Sequence, residues 1–444
     1  MKVAILGNMN NNGFALMRYL RDLGVDAHLL LYGNDGTGSL AHFTPDHDSF
    51  GIEGWSKYIH HTCIYNNAYH TFPGFIQIIA QQLYNLKGVF VGRANRLYFL
   101  SEKAIKNTLL SYKYVISSGY GPGVLHRANI KIDIFSPYAV GIEGVWRFFA
   151  PDCSDLGNRL IFELGRYYQL KSLKMVKHIV TADTGITAVE LGKHNLNFVP
   201  VAMPMVYVES DYPDRTGDRF IDNVGALLER CDFSALMHCR LAWTSNICDH
   251  NRLHSKNNDW VIRSFRSLLD ELPTLNARLV ILEYGPDVYN TKLLVDQLGL
   301  LSHVVWLPKT SRKNLMWLLR KVNLGIGEFI ESPRMIWGGT GWEVLACGKP
   351  LLQGFFFENG EYEALFDQPE PPLLKVRSQD DVTKHLLEMA RHPEKASEIG
   401  LASKAWFQTY NGINLAKKWL DLLLDRPRNS DTLPLQSVEM TPNG

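Results

Sequence analysis

Lys2 to Leu6 is a short apolar run, Asn8 to Gly13 a polar turn, Phe14 to Leu23 a segment with its apolar residues on one helical face, and Asp26 to Leu31 a second apolar run. Short apolar runs bounded by turns read as buried strands, and the helical period between them reads as a crossover, so the chain opens β-α-β. The alternation continues through strand-like Tyr114–Ser117, Ile132–Phe135, His178–Thr181 and Phe198–Val201. A second series starts with the strand Ala235–Cys239 and the helix Trp260–Glu271. It proceeds through the strand Ala277–Leu282, the helix Thr291–Leu298, the strand His303–Trp306, the helix Arg312–Lys321 and the strand Leu324–Gly327, with helical segments at Val382–Arg391 and Glu394–Leu424. Parallel strands need crossovers of this kind, so each series predicts an open doubly wound sheet.

The Pro-bearing stretch Pro200 to Pro213 reads as the linker between the series, with Asp214 to Arg230 a helical lead-in. At 444 residues the chain exceeds one ordinary core. The expected division is 1–205 for a first Rossmann-like domain, 206–425 for a second, whose last helices can pack back on the first, and 426–444 for a frayed tail.

Hydrophobic residues at 46% and charged residues at 20% place the chain among globular proteins rather than disordered ones. Lys plus Arg at 46 against Asp plus Glu at 45 leaves a formal charge of +1, which argues against a dedicated nucleic-acid binder. The six cysteines lack paired CxxC spacing, so neither a zinc site nor a disulfide framework is indicated, and a reducing cytoplasm is expected. The apolar run at Met1 to Gly7 is too short for a signal peptide or a membrane span. Asn158 to Lys177 is basic and amphipathic; it reads as a surface helix or as a peripheral contact with an anionic membrane carrying a lipid-linked acceptor.

The densest chemical signal is Trp337-Gly338-Gly339-Thr340-Gly341-Trp342-Glu343, a Gly-rich turn directly before a helix bearing one acid. Glycines let backbone approach an anion, and the first N–H groups of the following helix face phosphate oxygens. Glu343 lies about one turn further on, where a carboxylate can accept hydrogen bonds from a ribose diol. The same pattern also serves as a purely structural turn. Arg240 follows the strand at Ala235 and Lys256 precedes the helix at Trp260; either can neutralise a diphosphate, Arg as a fork and Lys as a point charge. No DxD-type acidic loop for Mg²⁺ stands out, and Asp380-Asp381 reads as a helix cap.

These residues occur in an order that resembles the donor-binding domain of GT-B glycosyltransferases, especially glycosyltransferase family 4. The resemblance covers about Ser234 to Ala364: His238-Cys239-Arg240-Leu241, Ser255-Lys256-Asn257-Asn258, Leu282-Glu283-Tyr284-Gly285-Pro286, Leu298-Gly299-Leu300 with Val304-Val305-Trp306-Leu307, and Trp342 to Pro350. It implies a GT-B architecture, two doubly wound Rossmann-like domains facing each other across a cleft. It further implies a retaining, metal-independent transferase that uses a UDP- or GDP-sugar as donor substrate and needs no other cofactor. Arg240 and Lys256 would act on the diphosphate and Glu343 on the ribose, with Gly285, Pro286, Gly338, Gly339, Thr340 and Gly341 around the nucleotide. In the first half the likeness is only in outline: Asn12 and Gly13 stand where the acceptor-side loop would approach the donor phosphate.

Two departures bear on the chemistry. The family's first glutamate, which contacts the sugar, would fall at Met335, and neither Glu328 nor Glu331 has its spacing. The histidine expected in the first domain is missing from Asp133 to Ala139, leaving His126 as the candidate to line the cleft. The aromatic loop Asn66 to Phe75 is a candidate acceptor contact. The acceptor is a glycan, a lipid-linked molecule or another molecule. Other readings stay open: a noncatalytic nucleotide-sugar binder, an inverting transferase, or a nucleotide-sugar epimerase.

Overall fold

A computed structural model describes residues 1–32, 44–62, 102–119, 121–137, 166–246, 254–334 and 336–426. The strands among the described residues form two six-stranded sheets. The first contains β1 (Lys2–Leu6), β2 (Asp26–Tyr32), β3 (Ile59–Thr62), β4 (Tyr114–Ser118), β5 (Ile134–Ser136) and β6 (His178–Ile179), in the order β3-β2-β1-β4-β5-β6. The second contains β7 (Phe233–Met237), β8 (Ala277–Leu282), β9 (Val304–Leu307), β10 (Leu324–Ile326), β11 (Leu351–Gly354) and β12 (Leu373–Val376), in the order β12-β11-β10-β7-β8-β9. Every pairing among the described residues is parallel.

Both sheets therefore have the same winding: from its first strand, the chain builds outward in one direction and then returns to build in the other. The reversal falls between β1 and β4 in the first sheet and between β7 and β10 in the second. At such a reversal the loops leaving the two central strands diverge to opposite faces, and the crevice beyond their carboxyl ends is where ligands of these sheets bind. The apolar runs explain the burial: Ala4, Leu6, Leu279 and Val280 are wholly enclosed, with helices on both faces.

Element limits differ from the sequence pattern at informative places. β7 ends at Met237, two positions before the end of its expected strand, so His238, Cys239 and Arg240 belong to the loop beyond it. The stretch expected as one helix from Glu394 to Leu424 is two, Pro393–Tyr410 and Gly412–Leu423. Gly412 adopts φ +54°, and the Asn411 side chain accepts a hydrogen bond from its N–H at 2.7 Å, so the chain turns sharply there. The helix Gly412–Leu423 then crosses back to the first sheet's helix Asn12–Asp22. Trp419 is fully buried among Phe14, Leu16 and Leu20, and its indole N–H donates to the Ala202 carbonyl at 2.8 Å. Residues 200–213 contain no helix or strand, and the lead-in helix is Arg219–Leu228, capped by Asp218. Asp381 closes a capping box with Ser378 at the start of the helix Gln379–Arg391.

Candidate functional site

The loops leaving β7 and β10, at the second sheet's reversal, converge on Glu343. This residue sits in the helix Gly339–Ala346 and is 6% exposed, so its carboxylate needs partners. His238, just past β7, donates from Nε2 to Oε2 at 2.7 Å, and Arg312 donates from Nε to Oε1 at 2.6 Å. Burial pushes the Glu343 carboxyl up, but the Arg312 guanidinium and the His238 hydrogen bond outweigh it, and the net shift is below the ordinary glutamate value. The acid is held ionised. His238 Nδ1 is buried with no hydrogen-bond partner among the described residues.

Arg312 reaches further. Its Nη1 donates to Asp48 Oδ2 at 2.7 Å and to the Asn10 carbonyl at 2.7 Å, and lies 3.3 Å from the Met205 carbonyl. Asp48 accepts on its other oxygen from Asn11 Nδ2, also at 2.7 Å. The loop leaving β1 is thereby tied to the second domain's site. Asn10 and Asn11 both have positive φ, a conformation asparagine tolerates. Gly13 is required because a Cβ there would lie 2.3 Å from the Gly7 carbonyl oxygen; the neighbouring Asn12 Oδ1 is buried without a described partner.

The three glycines of the turn have different reasons to be there. A Cβ on Gly341 would meet Trp337 Cδ1 at 2.3 Å, so that glycine admits the indole. Trp337 is itself buried between Trp342 and Tyr362. At Gly338 the nearest atom to a Cβ is Glu328 Oε2 at 3.7 Å, and at Gly339 it is Arg312 Nη2 at 3.6 Å. Both positions have room, and both face charged side chains. No side chain among the described residues caps the helix that follows.

Arg240 and Lys256 are drawn together by backbone. The Lys256 N–H donates to the Ala242 carbonyl at 2.7 Å, and Ala242 N–H donates to the Asn258 side chain at 2.9 Å. Gly285 clamps the same loop: at φ +127° it lies so close to Leu241 that a Cβ would be 2.3 Å from its carbonyl oxygen. Past Pro286, the Asp287 carboxylate accepts from Trp243 N–H, Thr244 N–H and Thr244 Oγ1 at 2.7, 3.1 and 2.7 Å. Gly285 and Asp287, on either side of Pro286, thus support the Arg240 loop. Arg240 is half-buried with its Nε unpartnered among the described residues, whereas Lys256 Nζ is paired with Glu328.

His126 lies near the end of the helix Gly121–Arg127, its ring 6.1 Å from Tyr168. Burial, and then Lys171, push its pKa down. Among the described contacts it does not join the group around Glu343. The described part of the basic stretch is helical over 166–173, with Leu173 buried and Tyr167 and Met175 exposed. Met335 and the aromatic loop Asn66 to Phe75 lie outside the described residues. Between the helix Ile186–Lys193 and the chain ahead of the Gly-rich turn lies a cleft of about 470 Å³, lined by Glu190, Lys193, Pro333, Arg334 and Phe356 among others. Among the described residues no group of three or more His, Cys, Asp or Glu side chains is placed to hold a metal, and no helix is long and apolar enough to cross a membrane.

Sequence reasoning misses Arg312, Asp48 and Glu328 as site residues, and gives His238 no role. Arg312 and Asp48 are 264 positions apart, and no local pattern marks a pair that only domain packing creates.

The sequence matches no family model and no curated protein. Solved structures are similar in fold. HepE of Anabaena, in complex with UDP, superposes with a TM-score of 0.53 at 12% identity, covering 96% of this chain and 100% of that one. TarM of S. aureus, in complex with fondaparinux, alpha-GlcNAc-glycerol and UDP, gives 0.55 at 10% identity over 95% and 99%. The sucrose-phosphate synthase of Thermosynechococcus elongatus gives 0.55 at 12% identity over 96% and 98%. The chain has the GT-B fold of these glycosyltransferase structures, two Rossmann-like domains with parallel sheets and flanking helices.

Proposed function

We propose that this protein is a glycosyltransferase that binds a nucleotide-diphosphate sugar at the reversal of the second sheet and passes the sugar to an acceptor approaching from the first domain. The carrying observation is the Glu343 carboxylate, held by His238 and Arg312 beside two turn glycines whose side-chain positions are open. Among the described residues each Glu343 oxygen has one protein partner, which leaves lone pairs for a ribose diol. Arg240, with its unpartnered Nε, and Lys256 would carry the diphosphate, and the amides at Gly338 to Gly341 would add donors. UDP is bound in HepE and in TarM, which supports a UDP-sugar here; a GDP-sugar is the other donor to test.

Breaking the bond from the anomeric carbon to the diphosphate leaves positive charge on the sugar and negative charge on the leaving group. Arg240, Lys256 and the turn amides answer the second. In the retaining, metal-independent course we propose, the acceptor oxygen bonds to the anomeric carbon on the face the diphosphate leaves, and its proton passes to the departing phosphate. Glu328, beside Gly338 and paired with Lys256, takes the sugar-facing role that the family pattern assigns to the position of Met335. The 470 Å³ cleft ahead of the turn is the proposed acceptor entrance. Contact with an anionic membrane, for a lipid-linked acceptor, would run through Tyr167, Lys171 and Lys174.

A second reading is favoured by the internal neutralisation of the site, where Lys256 meets Glu328 and Arg312 meets Glu343. Charges already paired suit a noncatalytic nucleotide-sugar binder. Incubation with a panel of radiolabelled UDP- and GDP-sugars separates the two. Slow hydrolysis of one donor, or transfer to an added glycan, supports the transferase; saturable binding with no turnover across donors and acceptors supports the binder. The anomeric configuration of the product tests retention against inversion, and conversion of the sugar without transfer would indicate an epimerase.

A further inference from the structure

Arg312 joins the first domain to the Glu343 carboxylate of the second. Through Nε it orients Glu343; through Nη1 it holds Asp48 and the Asn10 carbonyl of the first domain. A guanidinium is planar and rigid, so its N–H directions are fixed relative to one another. Displacing Asp48 therefore turns the edge that Arg312 presents to Glu343. Asp48 is a firm anchor, being 8% exposed and held on its other oxygen by Asn11. Burial pulls the Arg312 pKa down, but Asp48 and then Glu343 more than reverse this, so the cation persists and cannot leave either partner without cost.

We infer that Arg312 is the positioning residue through which domain closure sets the Glu343 carboxylate for the donor nucleotide, an inference that rests on the donor site proposed above. Opening the domains forces Arg312 to release either the first domain or Glu343. In the first case Glu343 keeps an untethered partner, and in the second it keeps only His238. Either way the carboxylate is less restrained in the open form. Linkage then requires the converse: nucleotide that needs the restrained carboxylate favours closure. Asp48, which the proposed donor site does not place against the nucleotide, thereby influences nucleotide affinity.

The test uses the full chain. Without nucleotide, amide hydrogen exchange across 44–50 and 312–319 is expected to accelerate in Arg312→Gln and in Asp48→Asn, while the distant helix Gln379–Arg391 keeps its rates. UDP and GDP binding is then measured by calorimetry for the wild type, Asp48→Asn, Glu343→Gln and the double variant. Asp48→Asn is expected to weaken binding of the preferred nucleotide about 3- to 10-fold when Glu343 is present and less than about 2-fold when it is not. Equal effects in both backgrounds overturn the inference, as do unchanged exchange rates in both single variants. A wild type that binds neither nucleotide, with accelerated exchange in the variants, overturns the donor-site reading instead and leaves the closure contact standing.

Discussion

A Cβ at Gly341 would stand 2.3 Å from Cδ1 of Trp337, so the indole is seated directly against the bare glycine backbone. Gly341→Ala should therefore displace Trp337 from its packing with Trp342 and Tyr362 and cost about 1–3 kcal/mol, the usual penalty of overpacking. Gly338→Ala meets nothing closer than 3.7 Å at an unstrained φ of −79° and should leave stability within about 0.5 kcal/mol of wild type. It should nevertheless weaken nucleotide binding if backbone at 338 faces phosphate. Urea denaturation and nucleotide titration on the two variants check the split; equal stability losses would contradict it.

On the proposed donor site, Glu343→Ala removes a ligand contact together with a structural partner. Loss of its hydrogen bonds to the ribose should weaken nucleotide affinity by about 1–3 kcal/mol. The variant also leaves Arg312 and His238 facing a buried gap, and breaking a buried ion pair on one side costs about 3–5 kcal/mol of stability. Calorimetric affinity at a temperature where the variant is still folded separates the two effects. Unchanged affinity there would sink the ribose assignment.

Much of this architecture is legible in the residues themselves. Compact apolar runs such as Lys2–Leu6 and Ala277–Leu282 are central strands because only a two-sided burial tolerates them. β3, Ile59–Thr62, escapes detection because His60 and His61 interrupt its apolar pattern, which an edge strand permits. The turn at Gly338 and the order of its neighbours point to the site, yet not to what each glycine does, since Gly341 answers to an indole and Gly285 to the Leu241 backbone. Arg312 reads in the sequence only as the start of a helix. Its partners come from the first domain, from the linker and from a helix downstream, and nothing near it in the chain announces them.

His28 and His60 predict a pH dependence. Nδ1 of His28 lies 2.8 Å from Nε2 of His60, and its Nε2 lies 3.0 Å from Asp26. Two neutral rings satisfy this chain, with one proton between them and one directed to Asp26. Burial lowers both pKa values from the ordinary 6.5. In the unfolded chain these groups take up protons first as pH falls, so the pair's contribution is complete above the ordinary value and is lost on descent through the lowered ones. Melting temperature should fall between about pH 7.5 and about pH 5.5, and less steeply in a His28→Asn/His60→Asn double variant. Equal slopes for the two proteins would refute the assignment.

Trp419→Ala should cost about 3–5 kcal/mol, the range for emptying a large buried aromatic site. The loss should fall on the first domain, because Trp419 packs on Phe14, Leu16 and Leu20 rather than on the second sheet. Hydrogen exchange resolved by segment would show faster exchange over Asn12–Asp22 and unchanged rates over Ala277–Leu282. Uniform acceleration would mean that the two domains unfold as one unit.

The return of the helix Gly412–Leu423 to the Asn12–Asp22 helix has a consequence for the order of events on the ribosome. Domains ordinarily fold as they emerge, the N-terminal one first. Here a face of the first domain stays uncovered until residues 412–423 have been made, because Leu415, Trp419 and Leu423 complete its core. The second domain can be finished while the first is still waiting. A nascent chain arrested at about residue 400 should therefore present an apolar face at Leu16 and Leu20 to a chaperone, and full-length release should end that exposure.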